Sequence, residues 1–170
     1  DVIPDEELAL SAGGKGASLC RMFRAGLNVP EGFIVKAETF SEFMTRTGLR
    51  DRVLAMIDEI DINKTSELIE KSEKIRELII QTDMPDDIGA ELKEYYAEFN
   101  NGPVAVRSSG TAEDLDDASF AGQQETFLNN RGIDNVLIAI KEVFASLYND
   151  RAIAYRVHQN FDHDSVALSA

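Results

Sequence analysis

Cysteine is almost absent from this chain: Cys20 is the single one among 170 residues, so no internal disulfide can staple the fold. Histidine is nearly as scarce. His158 and His163 are the two present, and their spacing near a helix end matches no recognisable metal motif, which leaves them as solvated or hydrogen-bonded structural residues. Basic residues are few as well, seventeen against thirty-one acidic ones, for a formal charge of -14. That balance argues against a phosphodiester polymer as partner, because nucleic-acid affinity rests on basic surface. It leaves room for a nucleotide, since a small site can stay locally positive on an acidic protein. No apolar run approaches the length of a membrane span, and the opening DVIPDEELAL lacks the basic start and apolar stretch of a signal peptide. These absences lead to the expectation of a cytoplasmic protein that binds neither nucleic acid nor membrane.

What is present suffices for a core: 44% of the residues are hydrophobic, and the length suits one domain or a large subdomain. Helical spacing recurs over residues 17–25, 38–45, 49–60 and 65–81, from Pro85 through Phe99, and over a long segment from Asp134 that bends near Asn149 and continues through 152–158. In the first of these, Ala17, Leu19, Cys20, Met22 and Phe23 share one face, so Cys20 is expected as a small core hydrophobe. Thr65 or Ser66 can cap the fourth, Asp134 the last, and Gly26 stops the first. Ile88, Leu92, Tyr95 or Tyr96, and Phe99 make the buried face of the fifth, and Leu68, Ile69, Ile75, Leu78 and Ile79 that of the fourth. Strands are expected at 32–35, 104–107, 125–128 and from 166 onward. The expected fold class is mixed α/β, mostly helical with a small sheet, divisible into 1–103 and 104–170. The chain stops inside the last strand without a polar tail, so a piece of a longer polypeptide is expected.

Residues 104–128, VAVRSSGTAEDLDDASFAGQQETFL, form the longest stretch whose composition core building does not explain. A short apolar strand ends in Arg107, at the carboxyl end where open α/β sheets place ligands. Ser108, Ser109, Gly110 and Thr111 follow, and Ser119, Gly122, Gln123 and Thr126 repeat the chemistry beyond an acidic interlude. Hydroxyl donors and flexible backbone beside a guanidinium suit phosphate oxygens. A surface loop of ordinary turn residues is the plain alternative. Near the amino terminus AGGKGASL puts Lys15 among glycines just before a helical run, where a lysine and free backbone N–H groups converge. The spacing is not that of a P-loop.

With GGKGASL, NVPEGFIV, VAVRSSGTAEDLDDASFAGQQETFLN and VFASLYNDRAIAYRVHQNFDHDSVALSA in this order, the chain resembles the amino-terminal, ATP-binding part of the phosphoenolpyruvate synthase family. The first three motifs are shared with pyruvate phosphate dikinase and rifampicin phosphotransferase. The resemblance implies an ATP-grasp type nucleotide-binding half of a modular enzyme that makes phosphoenolpyruvate, AMP and phosphate from pyruvate, ATP and water. It implies a carrier histidine on a swivelling phosphohistidine domain and pyruvate bound in a distant barrel domain; neither His158 nor His163 stands in the carrier's motif. By the same resemblance Lys15 touches the nucleotide phosphates, Arg107 stabilises the transferring group and is the catalytic residue, Gly122 gives a backbone contact and Thr126 a hydroxyl contact. The cofactors implied are ATP and Mg2+, with the metal carboxylate beyond residue 170 and no metal ligand here. Gly110 stands where the family usually has alanine, and Asp116-Asp117 where a hydrophobic-proline pair is common, which implies a loop more mobile than usual; glycines at both ends and few large apolar residues between them lead to the expectation of a mobile flap over 110–122. The rival readings are a related phosphotransferase with another acceptor and a non-enzymatic acidic interaction module; the parent's oligomeric state is left open.

Overall fold

A computed structural model describes residues 4–110, 125–159, 161, 163 and 167–170. Gly122 and the greater part of the expected flap lie outside the described residues. The elements in order are α1 (Asp5–Arg24), α2 (Ala37–Arg46), α3 (Leu49–Asp58), α4 (Thr65–Gln81), α5 (Asp86–Ala97), β1 (Val104–Arg107), β2 (Ser109–Gly110), β3 (Thr126–Asn130), α6 (Ile133–Ser146), α7 (Asp150–His158) and β4 (Leu168–Ser169). Helix predominates. The strands form two antiparallel ribbons, β1 with β3 and β2 with β4.

The hub is α6. Val136, Ala139, Ile140, Val143, Phe144 and Ala145 bury most of its circumference, as expected of a helix surrounded by other elements, and α4, α5, β1, β3 and β4 pack on it. Phe144 meets Phe40 edge-on at 5.2 Å between ring centres and Phe43 at 5.8 Å, so α2 docks onto the hub through aromatic contacts. The same core takes in Leu49, Val53 and Ile57 of α3, Leu68, Ile75 and Ile79 of α4, and Val106 of β1. It therefore draws on residues either side of position 103.

Tyr96, fully buried on α5, fixes the start of the β1–β3 ribbon. Its hydroxyl donates to the Gly102 carbonyl at 2.8 Å and accepts from the Gly132 N–H at 2.9 Å, tying the turn before β1 to the turn after β3. Of the two tyrosines the periodicity allowed, Tyr96 is the core residue and Tyr95 is exposed.

Several expectations need correcting. The apolar face of residues 17–25 is mostly uncovered: Ala17 is buried, Cys20 is only half-buried, and Leu19, Met22 and Phe23 are exposed, Phe23 by 73%. Periodicity marks an apolar stripe but says nothing of what covers it, and among the described residues nothing covers this one. Ile69 is likewise exposed on α4. Residues 32–35 form no regular strand; Val35 exchanges both backbone hydrogen bonds with Ala170, at 2.7 and 3.0 Å, and β4 is too short to extend the pairing. Neither Thr65 nor Asp134 caps a helix. Both lie inside the first turn, behind Lys64 and Gly132. Asn149 does cap, accepting from the Ala152 N–H at 2.7 Å, which is why α6 and α7 are separate helices. Among the described residues, no helix is long and apolar enough to cross a membrane.

Candidate functional site

The site begins at a break in α1. Gly13 sits at φ 66, ψ 174, a region of backbone space essentially reserved for glycine, and the helix restarts after it. The need for glycine is also steric. A Cβ there would lie 2.3 Å from Ser109 Oγ and 2.4 Å from its carbonyl oxygen, closer than any side-chain carbon can come.

Ser109 occupies that space because it caps the restarted helix. Its Oγ accepts from the backbone N–H of Lys15 at 3.0 Å and of Gly16 at 3.2 Å, two of the donors a helix start leaves without an internal partner. The acceptor comes from a segment 94 residues away in sequence. This corrects the expectation of free amides at this helix start, since those two are already engaged within the protein. The Ser109 carbonyl accepts in turn from Ser169 Oγ at 3.1 Å, and the same hydroxyl reaches the Ala12 carbonyl on the other side of the break. Ser109 is 5% exposed and Ser169 fully buried, so water does not compete for these bonds.

The clamp places the candidate side chains. Lys15 Nζ donates to the Ser108 carbonyl at 3.1 Å, which brings the ammonium to the residue next to Arg107. Arg107 and Thr126 are direct partners across β1 and β3, and directly opposed residues of an antiparallel pair share one face. Both are exposed, whereas the preceding pair, Val106 with Phe127, turns into the core. The Arg107 guanidinium is a planar fork of donors on this exposed face. Ser108 closes the ribbon: its N–H donates to the Glu125 carbonyl at 3.1 Å, and its Oγ accepts from the Glu125 N–H at 3.0 Å. Lys15, Arg107 and Thr126 are thus gathered at one end of the β1–β3 ribbon, and Gly122 lies outside the described residues.

Anionic groups lie near this end too. Burial and then the neighbouring Glu125 carboxylate hold Glu142 on α6 above the usual glutamate range, the direction that desolvation and a like charge both dictate. Among the described residues no three His, Cys, Asp or Glu side chains gather as a metal site would require. Neither histidine joins the site: His158 is exposed, and His163 Nδ1 accepts from Arg156 Nε at 2.9 Å.

Sequence reasoning missed two features. One is Ser169 together with the use made of Ser109: the sequence offers the Ser108 and Ser109 hydroxyls to phosphate oxygens, but both residues are buried, Ser109 capping the restarted helix and Ser108 closing on Glu125, and a cap from a distant segment leaves no local pattern. The other is Arg156, 1% exposed, which donates through Nη2 to the Leu147 carbonyl and lies 5.7 Å over the Tyr148 ring. Burial pushes its pKa down to about 10, so the guanidinium is still charged at neutral pH. A signal existed: Arg156 follows Ala152 and Ile153 on the buried face of α7, where helical spacing predicts a core position.

Comparison with known proteins bears on this arrangement. Residues 9–170 match the family described as pyruvate phosphate dikinase, AMP/ATP-binding domain. The chain is 52% identical over 166 residues to the phosphoenolpyruvate synthase of Pseudomonas aeruginosa and 48% identical over 166 residues to that of Escherichia coli, covering 93% of this chain and 21% of the relative in each case. A probable phosphoenolpyruvate synthase of Methanocaldococcus jannaschii is 47% identical over 165 residues, covering 94% of this chain and 14% of the relative. The chain thus spans about a fifth of the length of the first two relatives, and the residues matched include all four candidate site positions. It belongs to the family of the pyruvate phosphate dikinase AMP/ATP-binding domain.

Proposed function

We propose that this chain supplies one wall of an ATP site in an enzyme of the phosphoenolpyruvate synthase type, as the amino-terminal portion of an ATP-grasp type domain within a longer polypeptide. The observation that carries the reading is the convergence of Lys15, Arg107 and Thr126 at the end of one ribbon, on a protein whose formal charge is -14. In this reading ATP pyrophosphorylates an enzyme histidine and leaves as AMP. Water removes one phosphate, and the phosphohistidine passes its phosphoryl group to pyruvate. Carrier histidine and pyruvate site belong to other domains.

Each residue has a distinct part. The Lys15 ammonium, bonded to the Ser108 carbonyl, acts as a point charge on the phosphates of bound ATP. Arg107 presents a planar fork to oxygens whose charge spreads during transfer, an interaction that strengthens as the transition state is approached. Thr126, across the ribbon, offers a hydroxyl, and Gly122 a backbone contact. Magnesium would neutralise phosphate charge when bound. The described residues do not make a site for it, so the contribution assigned to this wall is that of its cations and hydroxyl.

The test is product analysis on the whole polypeptide with pyruvate, ATP and water. The reading requires AMP, phosphate and phosphoenolpyruvate in equal amounts; AMP formation that ignores pyruvate would overturn it. The second reading, a related phosphotransferase, is favoured by the family match itself, whose description names pyruvate phosphate dikinase, and it predicts AMP formation that depends on a different acceptor.

A further inference from the structure

We propose that Ser109 and Ser169 are positioning residues that set where Lys15 stands relative to Arg107. The proposal rests on the ATP-site reading above and goes beyond it, because neither serine is among the residues assigned to touch the nucleotide. One segment of three residues carries both functions. Arg107 ends β1, Ser108 offers its carbonyl to the Lys15 ammonium, and Ser109 holds the Lys15 and Gly16 amides. The separation of the two cations is therefore fixed by a short stretch of backbone and three hydrogen bonds. Ser169 locks that stretch from behind, its hydroxyl shared between the Ser109 and Ala12 carbonyls.

The sequence around Lys15 explains why a clamp is needed. Gly13, Gly14 and Gly16 surround it, and glycine backbone is the most costly to order. Held only by its own helix, the lysine would sample many positions. The Ser109 cap removes that freedom before ATP arrives, so affinity does not have to offset the ordering. Gly13 lets Ser109 approach, since any side chain there would displace it. Two glycines beside the lysine, a buried hydroxyl on each side and a lysine ammonium bonded to the same strand make one mechanical unit.

A double-mutant cycle on the whole polypeptide tests this, with ATP and magnesium as the probe and isothermal titration as the readout. Lys15→Ala should weaken binding, and Ser109→Ala alone should weaken it about tenfold, as loss of about 1.4 kcal/mol does. In the Lys15→Ala background Ser109→Ala should change affinity less than about twofold, because a residue acting through Lys15 has nothing left to act on. Additive losses would overturn the proposal while leaving the ATP-site reading intact; an unchanged affinity in Lys15→Ala alone would overturn both. Amide hydrogen exchange on unliganded protein gives an independent readout. The Lys15 and Gly16 amides should exchange at least about tenfold faster in Ser109→Ala while those of α6 hold their rate, and unchanged protection at residues 15 and 16 would refute the clamp. If Ser109→Ala does not fold, Ser169→Ala serves in both experiments, with a loss of about threefold expected in affinity, smaller because that hydroxyl acts one bond further away, and an additive loss or unchanged protection at residues 15 and 16 counting against the proposal in the same way.

Discussion

Replacing Gly13 by alanine perturbs the geometry of the site at its tightest point. Two costs arise. The backbone at φ 66, ψ 174 is strained for any residue with a Cβ, by about 1–3 kcal/mol. The new carbon would lie 2.3 Å from Ser109 Oγ and 2.4 Å from its carbonyl oxygen, so the serine must move and release the Lys15 and Gly16 amides, at about 0.5–1.5 kcal/mol for each bond. Together the loss is about 2–6 kcal/mol, and for a domain of this size about 2–4 °C of melting temperature follows each kcal/mol. Gly26→Ala is the matched control, because Gly26 also has positive φ, +75, but nothing lies within 4 Å of its Cβ position. It should lose only the left-handed strain, about 1–2 kcal/mol. Thermal unfolding of both variants by circular dichroism separates the terms: Gly13→Ala should melt well below Gly26→Ala. Equal melting temperatures would refute the claim that Ser109 is pressed against Gly13.

Other expectations are simpler to state. Thr126→Ala should weaken ATP binding about threefold to tenfold, the range of one hydrogen bond, and Thr126→Ser should restore it; titration calorimetry decides, and a failure of serine to rescue would assign the effect to the lost methyl group. Arg156 has its pKa lowered by burial to about 10, so from about pH 10 up to the ordinary arginine range the unfolded chain binds more protons than the folded one and stability must rise with pH. Compared with Arg156→Met, the wild type should therefore gain relative stability from pH 9 to 11 in urea unfolding, and a flat difference would show that burial does not shift this group. Residues 1–170 alone should form no AMP above a blank from ATP and pyruvate, since the chain spans only about a fifth of its synthase relatives.

The helices were legible where one strong periodicity coincided with a partner surface: α4 runs over the residues its stripe marked, and α6 buries Val136, Ile140, Val143 and Phe144. The stripe of Leu19, Met22 and Phe23 was equally clear in sequence and is exposed, because amphipathicity is a property of one element whereas burial needs two. In the candidate site, Lys15, Arg107 and Thr126 could be singled out by residue type and motif, and the structure gathers them. What joins them could not be read. Ser109 looks like a turn residue, and its role as a cap depends on a helix 94 residues earlier and on a glycine break that makes room for it. A local signal cannot encode a contact at that separation. The helix start at the glycines is real, since the helix restarts after Gly13, but another helical segment runs from Asp5 up to the break, with Leu8 and Ala12 buried ahead of it, and the amides expected to face a ligand face Ser109 instead.

The central claim is that Lys15 holds ATP in its ground state while Arg107 acts on the transition state, and steady-state kinetics combined with ATP titration on the whole polypeptide tests it most directly. Lys15→Ala should weaken ATP binding and slow turnover together. Arg107→Ala should slow turnover by a larger factor than it weakens binding, because an interaction that strengthens as charge develops acts on the rate. Turnover left intact in Arg107→Ala, with only the apparent ATP constant raised, would contradict the account.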